Sequence, residues 1–471
     1  MLFFAQAVCS VFLLSQLILS VTAEECSSAP TGVYASNWGD ASSNGFITLT
    51  CLTVKNDRAF DRSEVAYSGI PIDQSLDIRD VDLDRLVVVG ANSKRIPAQF
   101  EVLSRWGGAV LQTSQPVRWL QVAIATSIIA SGSATFDLRL YNFSQSRSTD
   151  LSQDVIVSST GGNLHIVSTG DAQFTLDASK PVLLSGIQIG SFTILNDSVN
   201  AGPSIVYIPQ QQQYGTTPRS LDASDAKVTY FEITESGPVK ATALIEGEFS
   251  DPSGASLCDT MDSYYVQPYE SFTYSLALTF SHGRSDIKVA FHVRNQCSNG
   301  DGTSWTDQSF LINKASYSLD FSSGIQENVF SSHYHGAFSG SSISSSQSSS
   351  SSITTIVEQR KGSGSPWRRR ARVRSGSSIS NDIHVNAPIV SVSDGSYAAG
   401  VTMSHMQYRE PQALRIDGSV ISIDVIGEQQ RVGEGKGIWN HAIFFVRSVD
   451  GASVPSLLQN LRWPLLLEIG M

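Results

Sequence analysis

Phe272-Thr-Tyr274-Ser-Leu276-Ala-Leu278-Thr-Phe280 carries a large apolar side chain at every second position. That is the period of a pleated strand, so one face of the segment is apolar and the other is not. A turn through His282-Gly283-Arg284 follows, after which Ile287, Val289, Phe291 and Val293 alternate with Lys288, Ala290, His292 and Arg294. The two runs read as an antiparallel hairpin with one buried and one solvated face. The same grammar recurs on either side. Asp417-Gly418 separates Leu414-Arg-Ile416 from Val420-Ile-Ser-Ile423-Asp-Val425, and Asp-Gly supplies the positive φ angles of a tight primed turn. A third hairpin is expected between Leu86-Val-Val-Val89 and Ile96-Pro-Ala-Gln-Phe100, turning at Gly90-Ala-Asn92-Ser93. No segment sustains apolar residues at helical spacing over a long window, and short strands with polar turns predict an all-β chain of barrels or sandwiches.

The first residues are uncharged and run apolar through Val11, Phe12, Leu13, Leu14, Leu17, Ile18 and Leu19 to the small-residue pattern Val21-Thr22-Ala23. This predicts a secretory signal peptide over 1–23, cleaved before Glu24, and therefore a secreted, extracellular protein. The run is shorter than the roughly 20 residues of a membrane span and no second long apolar stretch follows, so no membrane span is expected. Cys9 leaves with the signal, which leaves Cys26, Cys51, Cys258 and Cys297. Four thiols allow three disulfide connectivities. The local pairs Cys26 with Cys51 and Cys258 with Cys297 are favoured, because each closes a loop within one apparent sheet. No Cys-x-x-Cys spacing supports zinc. Asn142-Phe-Ser144 and Asn196-Asp-Ser198 are glycosylation acceptors if the export route is eukaryotic. A net charge of -11 without acidic blocks argues against nucleic acid as a partner.

Two segments depart from the strand pattern. Residues 339–352 are almost pure serine, with too little apolar surface to offset the entropy of ordering, and read as a disordered insertion. Trp367-Arg368-Arg369-Arg370-Ala371-Arg372-Val373-Arg374 is a basic cluster in an acidic chain. It is either a strand edge with a solvated face or, with Arg368, Arg369 and Arg370 as substrate-binding candidates, a site for a polyanion, since guanidinium groups pair with carboxylates in a bidentate fork. His333-Tyr334-His335 places two imidazoles on one face of a strand, but no third ligand has convincing spacing, so no metal is assigned and calcium has no support in the sequence. Gly433-Glu-Gly435-Lys-Gly437 lacks the helix that would hold a phosphate and reads as a turn. No nucleophile elbow, phosphate loop or dinucleotide fingerprint occurs.

Taken in order, Arg62-Ser-Glu-Val65-Ala-Tyr-Ser-Gly69-Ile70-Pro71, Ile78-Arg-Asp80, Ile96-Pro97-Ala-Gln99-Phe100-Glu-Val-Leu103-Ser-Arg105-Trp106 and Val117-Arg118-Trp119-Leu120-Gln121-Val122 resemble the N-terminal barrel of the exo-rhamnogalacturonan lyase and YetA-like group, polysaccharide lyase family 26. Glu235-Ser-Gly237-Pro238-Val239-Lys240-Ala-Thr242, the hairpin from Phe272 to Arg294, Pro411-Gln-Ala-Leu414-Arg-Ile-Asp417-Gly418 and Gly437-Ile-Trp-Asn-His441-Ala-Ile-Phe-Phe445 are similar to its central sandwich. The resemblance covers roughly Arg62 to Val446. It implies a small RIFT-like barrel over 57–145 after an extension over 24–56, a large antiparallel β-sandwich over 146–455, and a stub over 456–471 where the family's helical toroid would begin; no toroid is expected within this chain. The serine insertion and His405-Met406-Gln407-Tyr408-Arg409-Glu410 depart from the family pattern.

The implied function is to act on or bind a pectic, acidic polysaccharide, with β-elimination as the reaction; the alternatives are a non-catalytic carbohydrate-binding or cell-surface protein, or a truncated, inactive lyase homologue lacking the catalytic toroid. Elimination needs a cation at the uronate carboxylate, a base for the C5 proton and an acid for the leaving oxygen. His405, Tyr408 and Arg409, with His441 on a neighbouring stretch, are the densest set able to supply them; the bland alternative is that they line a loop or strand face. Trp106 and Trp119, each preceded by arginine, could stack on sugars, but the expectation is that they fill the barrel interior, with Arg105 and Arg118 along its rim.

Overall fold

In a computed structural model of the chain, the described residues are 45–57, 61–90, 94–142, 154–196, 201–208, 218–250, 252, 272–296, 310–321, 331–335, 342–346, 354–360, 370–375, 378–383, 389–393, 397–403, 412–417, 419–427, 430–432, 436–448 and 466–470. Among them there is no α-helix; three short 3₁₀ turns, Gln74–Leu76, Asp80–Arg85 and Ala223–Asp225, interrupt an all-β chain. No helix among the described residues is long and apolar enough to cross a membrane.

Eight strands form the first sheet, in the order Arg95–Ile96, Leu86–Val89, Ser133–Tyr141, Phe46–Lys55, Leu466–Gly470, Arg62–Pro71, Val117–Ile128, Ala98–Arg105. The two ends of this order are consecutive in the chain, joined only by Pro97, so the sheet closes on itself as a barrel. Pro97 explains the corner. It has no N–H to continue the ladder with Val88 and Val89, while its carbonyl accepts from Ala125 N–H at 3.1 Å, so the chain crosses from one neighbour to the other. The expected hairpin at 86–100 therefore ends at Ile96, and Ala98–Arg105 pairs instead with Val117–Ile128. Leu52, Val54, Leu120, Val122, Ile124 and Leu138 fill the interior. Phe46–Lys55, in the expected extension, and Leu466–Gly470, in the expected stub, are both staves of this barrel, paired with each other from Cys51 opposite Gly470 to Lys55 opposite Leu466.

The interior is not where the tryptophans went. Arg105 is buried, its guanidinium paired with Asp80 and donating to the Gln115 carbonyl at 2.9 Å, whereas Trp119 is 40% exposed. A register shift after Val102 and again after Ser104 slides the outward and inward positions of this strand pair, which is what a bulge does. Trp106 is partly buried, donates from Nε1 to the Ile72 carbonyl at 3.1 Å, and has Arg118 stacked 5.1 Å above it.

The sandwich has two nine-stranded sheets. One runs Ala226–Ser236, Lys240–Phe249, Phe272–Ser281, Ile287–Asn295, Gly437–Ser448, Tyr397–Met403, Ile389–Ser393, Ser331–His335, Ser342–Ser346; the other is built around Gly202–Ile208, Phe310–Asp320, Val420–Ile426, Ala413–Asp417 and Thr354–Arg360. Both expected hairpins are present, with Leu276 opposite Phe291 and Asp417 opposite Val420. The inward residues of the two sheets share one core with a five-stranded sheet spanning Ile156 to Asn196. Tyr317 sits between Phe291, centroids 5.8 Å apart, and Phe444, 6.0 Å away and nearly perpendicular, an edge-on contact that aromatic quadrupoles favour.

Barrel and sandwich meet at a polar seam. Arg284 donates to the Ser63 carbonyl at 2.9 Å while paired with Asp286. Gln99 of the barrel accepts from the Lys240 backbone N–H at 2.9 Å and lies where Gly237 has no side chain: a β-carbon there would be 2.4 Å from its Cδ. Lys240 Nζ donates to Gln121 and to Glu235, each at 2.6 Å, and Glu235 also accepts from Thr242 at 2.8 Å. Glu101 closes the group, hydrogen-bonded to Glu235 and 4.0 Å from Lys240. Burial, then the hydrogen bond and charge of Glu235, push its carboxyl up to about 7, against the pull of Lys240. Burial alone would raise Glu235 too, but the Lys240 charge and the hydrogen bonds from Glu101, Lys240 and Thr242 hold it below the usual carboxylate range.

The sign of the resulting pH dependence follows from proton counting. Between the ordinary glutamate range and about 7, folded Glu101 keeps a proton that the unfolded chain has released, so stability declines as pH rises through that window. His292 and His441, whose folded values are lowered, contribute the opposite slope as pH falls below their ordinary range. Melting temperatures from pH 5 to 8 for wild type and Glu101→Gln should therefore diverge, with the variant gaining on the wild type toward pH 8. Parallel curves would contradict a shared proton at the seam.

Candidate functional site

On a sheet whose inner face is core, chemistry must be built from outward residues. In the nine-stranded sheet that begins at Ala226, one transverse row crosses five strands: Tyr230 opposite Glu246, Glu246 opposite Ser275, Ser275 opposite His292, and His292 opposite Trp439. Four inter-strand steps give this row a length of about 19 Å. Beside it runs a second row, Glu232, Leu244, Ala277, Ala290 and His441, whose two alanines keep the middle of the face low. Thr242, Thr279, Lys288 and Ile443 border that row on one side. Glu248, Thr273, Arg294 and Gly437 border the first row on the other.

Trp439 is 39% exposed, and its ring meets His441 edge-on, centroids 5.0 Å apart at 71°. The two lie two residues apart on one strand, so the period of 2 puts both on the open face. His292 occupies the space above Gly437, where a β-carbon would sit 1.9 Å from its Nε2. Burial, with the nearby Arg294 charge second, lowers His292, and burial lowers His441. Both imidazoles are therefore held toward the neutral form at pH 7, in which a ring carries one N–H and one unprotonated nitrogen. Tyr230 donates its hydroxyl to Glu232 at the far edge. The face thus combines an aromatic surface, two neutral imidazoles, carboxylates at one end and a guanidinium and an ammonium near the other.

Gly437→Ala should swing His292 out of its place, since a rotating imidazole gives way more easily than backbone. The expected result is an unchanged melting temperature and a changed His292 NMR titration. An unmoved His292 resonance would show that the ring does not depend on the gap.

Of the residues singled out from the sequence, His441 lies in this face. His405, Tyr408 and Arg409 fall outside the described residues, although Met403, two positions before His405, is paired with Ala442, next to His441. Arg368 and Arg369 also fall outside, and Arg370 begins the strand Arg370–Ser375 at an edge region of the other sheet. His333 and His335 are on Ser331–His335, with backbone pairing alone described. Among the described residues no group of three or more His, Cys, Asp or Glu side chains could hold a metal. Cys51 is disulfide-bonded; Cys26, Cys258 and Cys297 lie outside the described residues. Asn142 is exposed at the end of a barrel strand, and Asn196 ends Phe192–Asn196.

Sequence reasoning missed His292, Arg294 and Trp439 as partners of His441. The alternation had already placed His292 and Arg294 on a solvated face; the pairing of Ile287–Asn295 with Gly437–Ser448 joins segments far apart in the chain and leaves no local trace.

The architecture, a closed barrel followed by a large sandwich, is one found in solved carbohydrate-processing proteins. An alpha-mannosidase from Enterococcus faecalis V583 shares it at a TM-score of 0.51 and 9% identity, over 89% of this chain and 46% of that one. A protein in the glycosyl hydrolase family 38 from Enterococcus faecalis does so at 0.50 and 9%, over 89% and 47%. The chain spans about half the length of each. At this identity the likeness is one of fold. No family model matches the chain, and no curated protein matches it in sequence.

Proposed function

We propose that this is a secreted protein of the exo-rhamnogalacturonan lyase-like group that binds a pectic, acidic polysaccharide across the open sheet face. The observation that carries the reading is the half-exposed Trp439 set edge-on to His441 beside His292 and Arg294. An aromatic plane suits the apolar face of a sugar ring, neutral imidazoles suit its hydroxyls, and Arg294 and Lys288 suit uronate carboxylates. The long shallow row fits a chain rather than a single small molecule. Fold likeness to glycosyl hydrolase structures and the residue-level resemblance to the lyase group support a carbohydrate ligand. The signal-like N-terminus and the bonded state of Cys51 support export to an oxidising compartment.

A second reading, β-elimination, is favoured by one observation: a neutral imidazole close to a cation is a competent base for a proton next to a neutralised carboxylate. Purified mature protein should be retarded by rhamnogalacturonan in an affinity gel, with retardation falling as salt rises. The same mixture, followed for absorbance of the unsaturated uronate product, separates the readings: retardation with a flat trace is binding alone, a rising trace is lyase activity, and unretarded migration with a flat trace removes both.

A further inference from the structure

The outer wall of the barrel carries an aromatic residue that the open sheet face does not use. Trp119 is 40% exposed and its six-membered ring lies over Gly69, 3.6 Å from where a β-carbon of that residue would be, with Leu103 at 3.5 Å on the same spot. Leu120 next to it points into the barrel, fully buried. Gln121, two positions on and therefore on the same outer face, is opposite Glu101 in register. Gln121 and Glu101 then run into the seam, where Lys240 and Glu235 of the sandwich hold them. On the other flank, Tyr67 has Lys240 and Lys288 at 5.8 and 5.6 Å from its ring.

We propose that Trp119, Gln121 and Glu101 form a second sugar subsite, at the junction of barrel and sandwich, that takes a neutral pyranose residue of a polysaccharide chain. It rests on the reading of the protein as a polysaccharide binder. Three features carry it. The indole is backed by Gly69 and Leu103, so one side is supported and the other faces solvent, the arrangement a stacking ring requires. The polar groups beside it are held by the partly buried Lys240 and Glu235, which fixes donors and acceptors and limits the loss of side-chain entropy on binding. The Glu101 side chain remains 42% exposed even though its inner oxygen environment is occupied by Glu235 and Lys240. Below about pH 7 it carries a proton, which it shares with Glu235, and its exposed oxygen is left to accept from a sugar hydroxyl. The groups facing it are Glu235, Lys240, Gln121 and, behind them, Gln99, Thr242, Tyr67 and Lys288; Lys240 is already paired with Glu235, so at pH 6 the groups beside Trp119 are the Gln121 amide and the protonated Glu101 carboxyl, which suit the hydroxyls of a neutral sugar.

The test compares rhamnogalacturonan, in which neutral and acidic sugars alternate, with polygalacturonate, which is acidic throughout. By titration calorimetry at pH 6, Trp119→Ala should bind the first about tenfold more weakly than wild type and the second equally well, and Trp119→Tyr should recover most of the loss. Wild-type affinity for rhamnogalacturonan should fall between pH 6 and 8, while Glu101→Gln, which keeps a neutral donor and acceptor, holds it level. Wild-type affinity in Trp119→Ala for both polymers overturns the subsite and leaves the function proposed above intact. Absence of binding by the wild type overturns both. An equal loss on both polymers overturns the assignment of a neutral sugar.

Discussion

Trp439→Ala is expected to weaken binding of pectic polymer by about 2 kcal/mol, roughly thirtyfold in Kd, the effect of removing an aromatic anchor from a contact surface. The melting temperature should stay within a degree or two, because the ring is 39% exposed and stands outside the core. The loss should not be recovered by Trp439→Leu, which restores apolar area without a flat ring, and should be largely recovered by Trp439→Phe. Calorimetric titration with the wild type and the three variants checks this. Equal affinities across the set would mean that the polymer, if bound, does not lie on this face. Because Trp439 touches His441, a change in the His441 NMR titration is expected in the alanine variant as well, and gives a readout independent of ligand.

The second large effect is on folding. Phe291 is fully buried and faces Tyr317 of the opposing sheet, which in turn meets Phe444. Phe291→Ala removes the first ring of that stack and leaves a cavity that two rigid sheets cannot close, at a cost of about 3–5 kcal/mol and a fall in melting temperature on the order of 10 °C. Since Phe291 precedes His292 on the same strand, with the two side chains on opposite faces, the variant also separates platform rigidity from platform chemistry. Differential scanning calorimetry would show the drop. A shift within a degree or two would mean that the sheets repack around the gap, and that the aromatic contact does not set their separation.

These two residues also mark how far the local pattern reaches. Alternation over Phe272–Arg294 is sufficient to assign strands, faces and register of the hairpin, because the side-chain period of a strand and the geometry of a short turn are local properties. It therefore places Phe291 inside and His292 outside without coordinates. The closing of the barrel is different. Pairing of Phe46–Lys55 with Leu466–Gly470 spans nearly the whole chain, and both segments read locally as leftovers at either end. Trp119 fails for another reason: a register shift in its neighbour, between Val102 and Arg105, moves the outward positions, and a bulge is set by how two strands meet rather than by either one.

The sequence by itself determined that the chain is predominantly β, that Phe272–Ser281 and Ala413–Asp417 each pair with the strand that follows, and which side of the first of these hairpins is apolar, since these follow from steric and solvation preferences of neighbouring residues. It also brought out His441 as a polar group on a strand. Only the tertiary structure decided that His292 and Arg294 stand beside Trp439 and His441, and that Glu101 shares a proton with Glu235 across the seam. Both arrangements depend on which distant strands become neighbours, and that choice is made by burial of the whole core and not by any one segment.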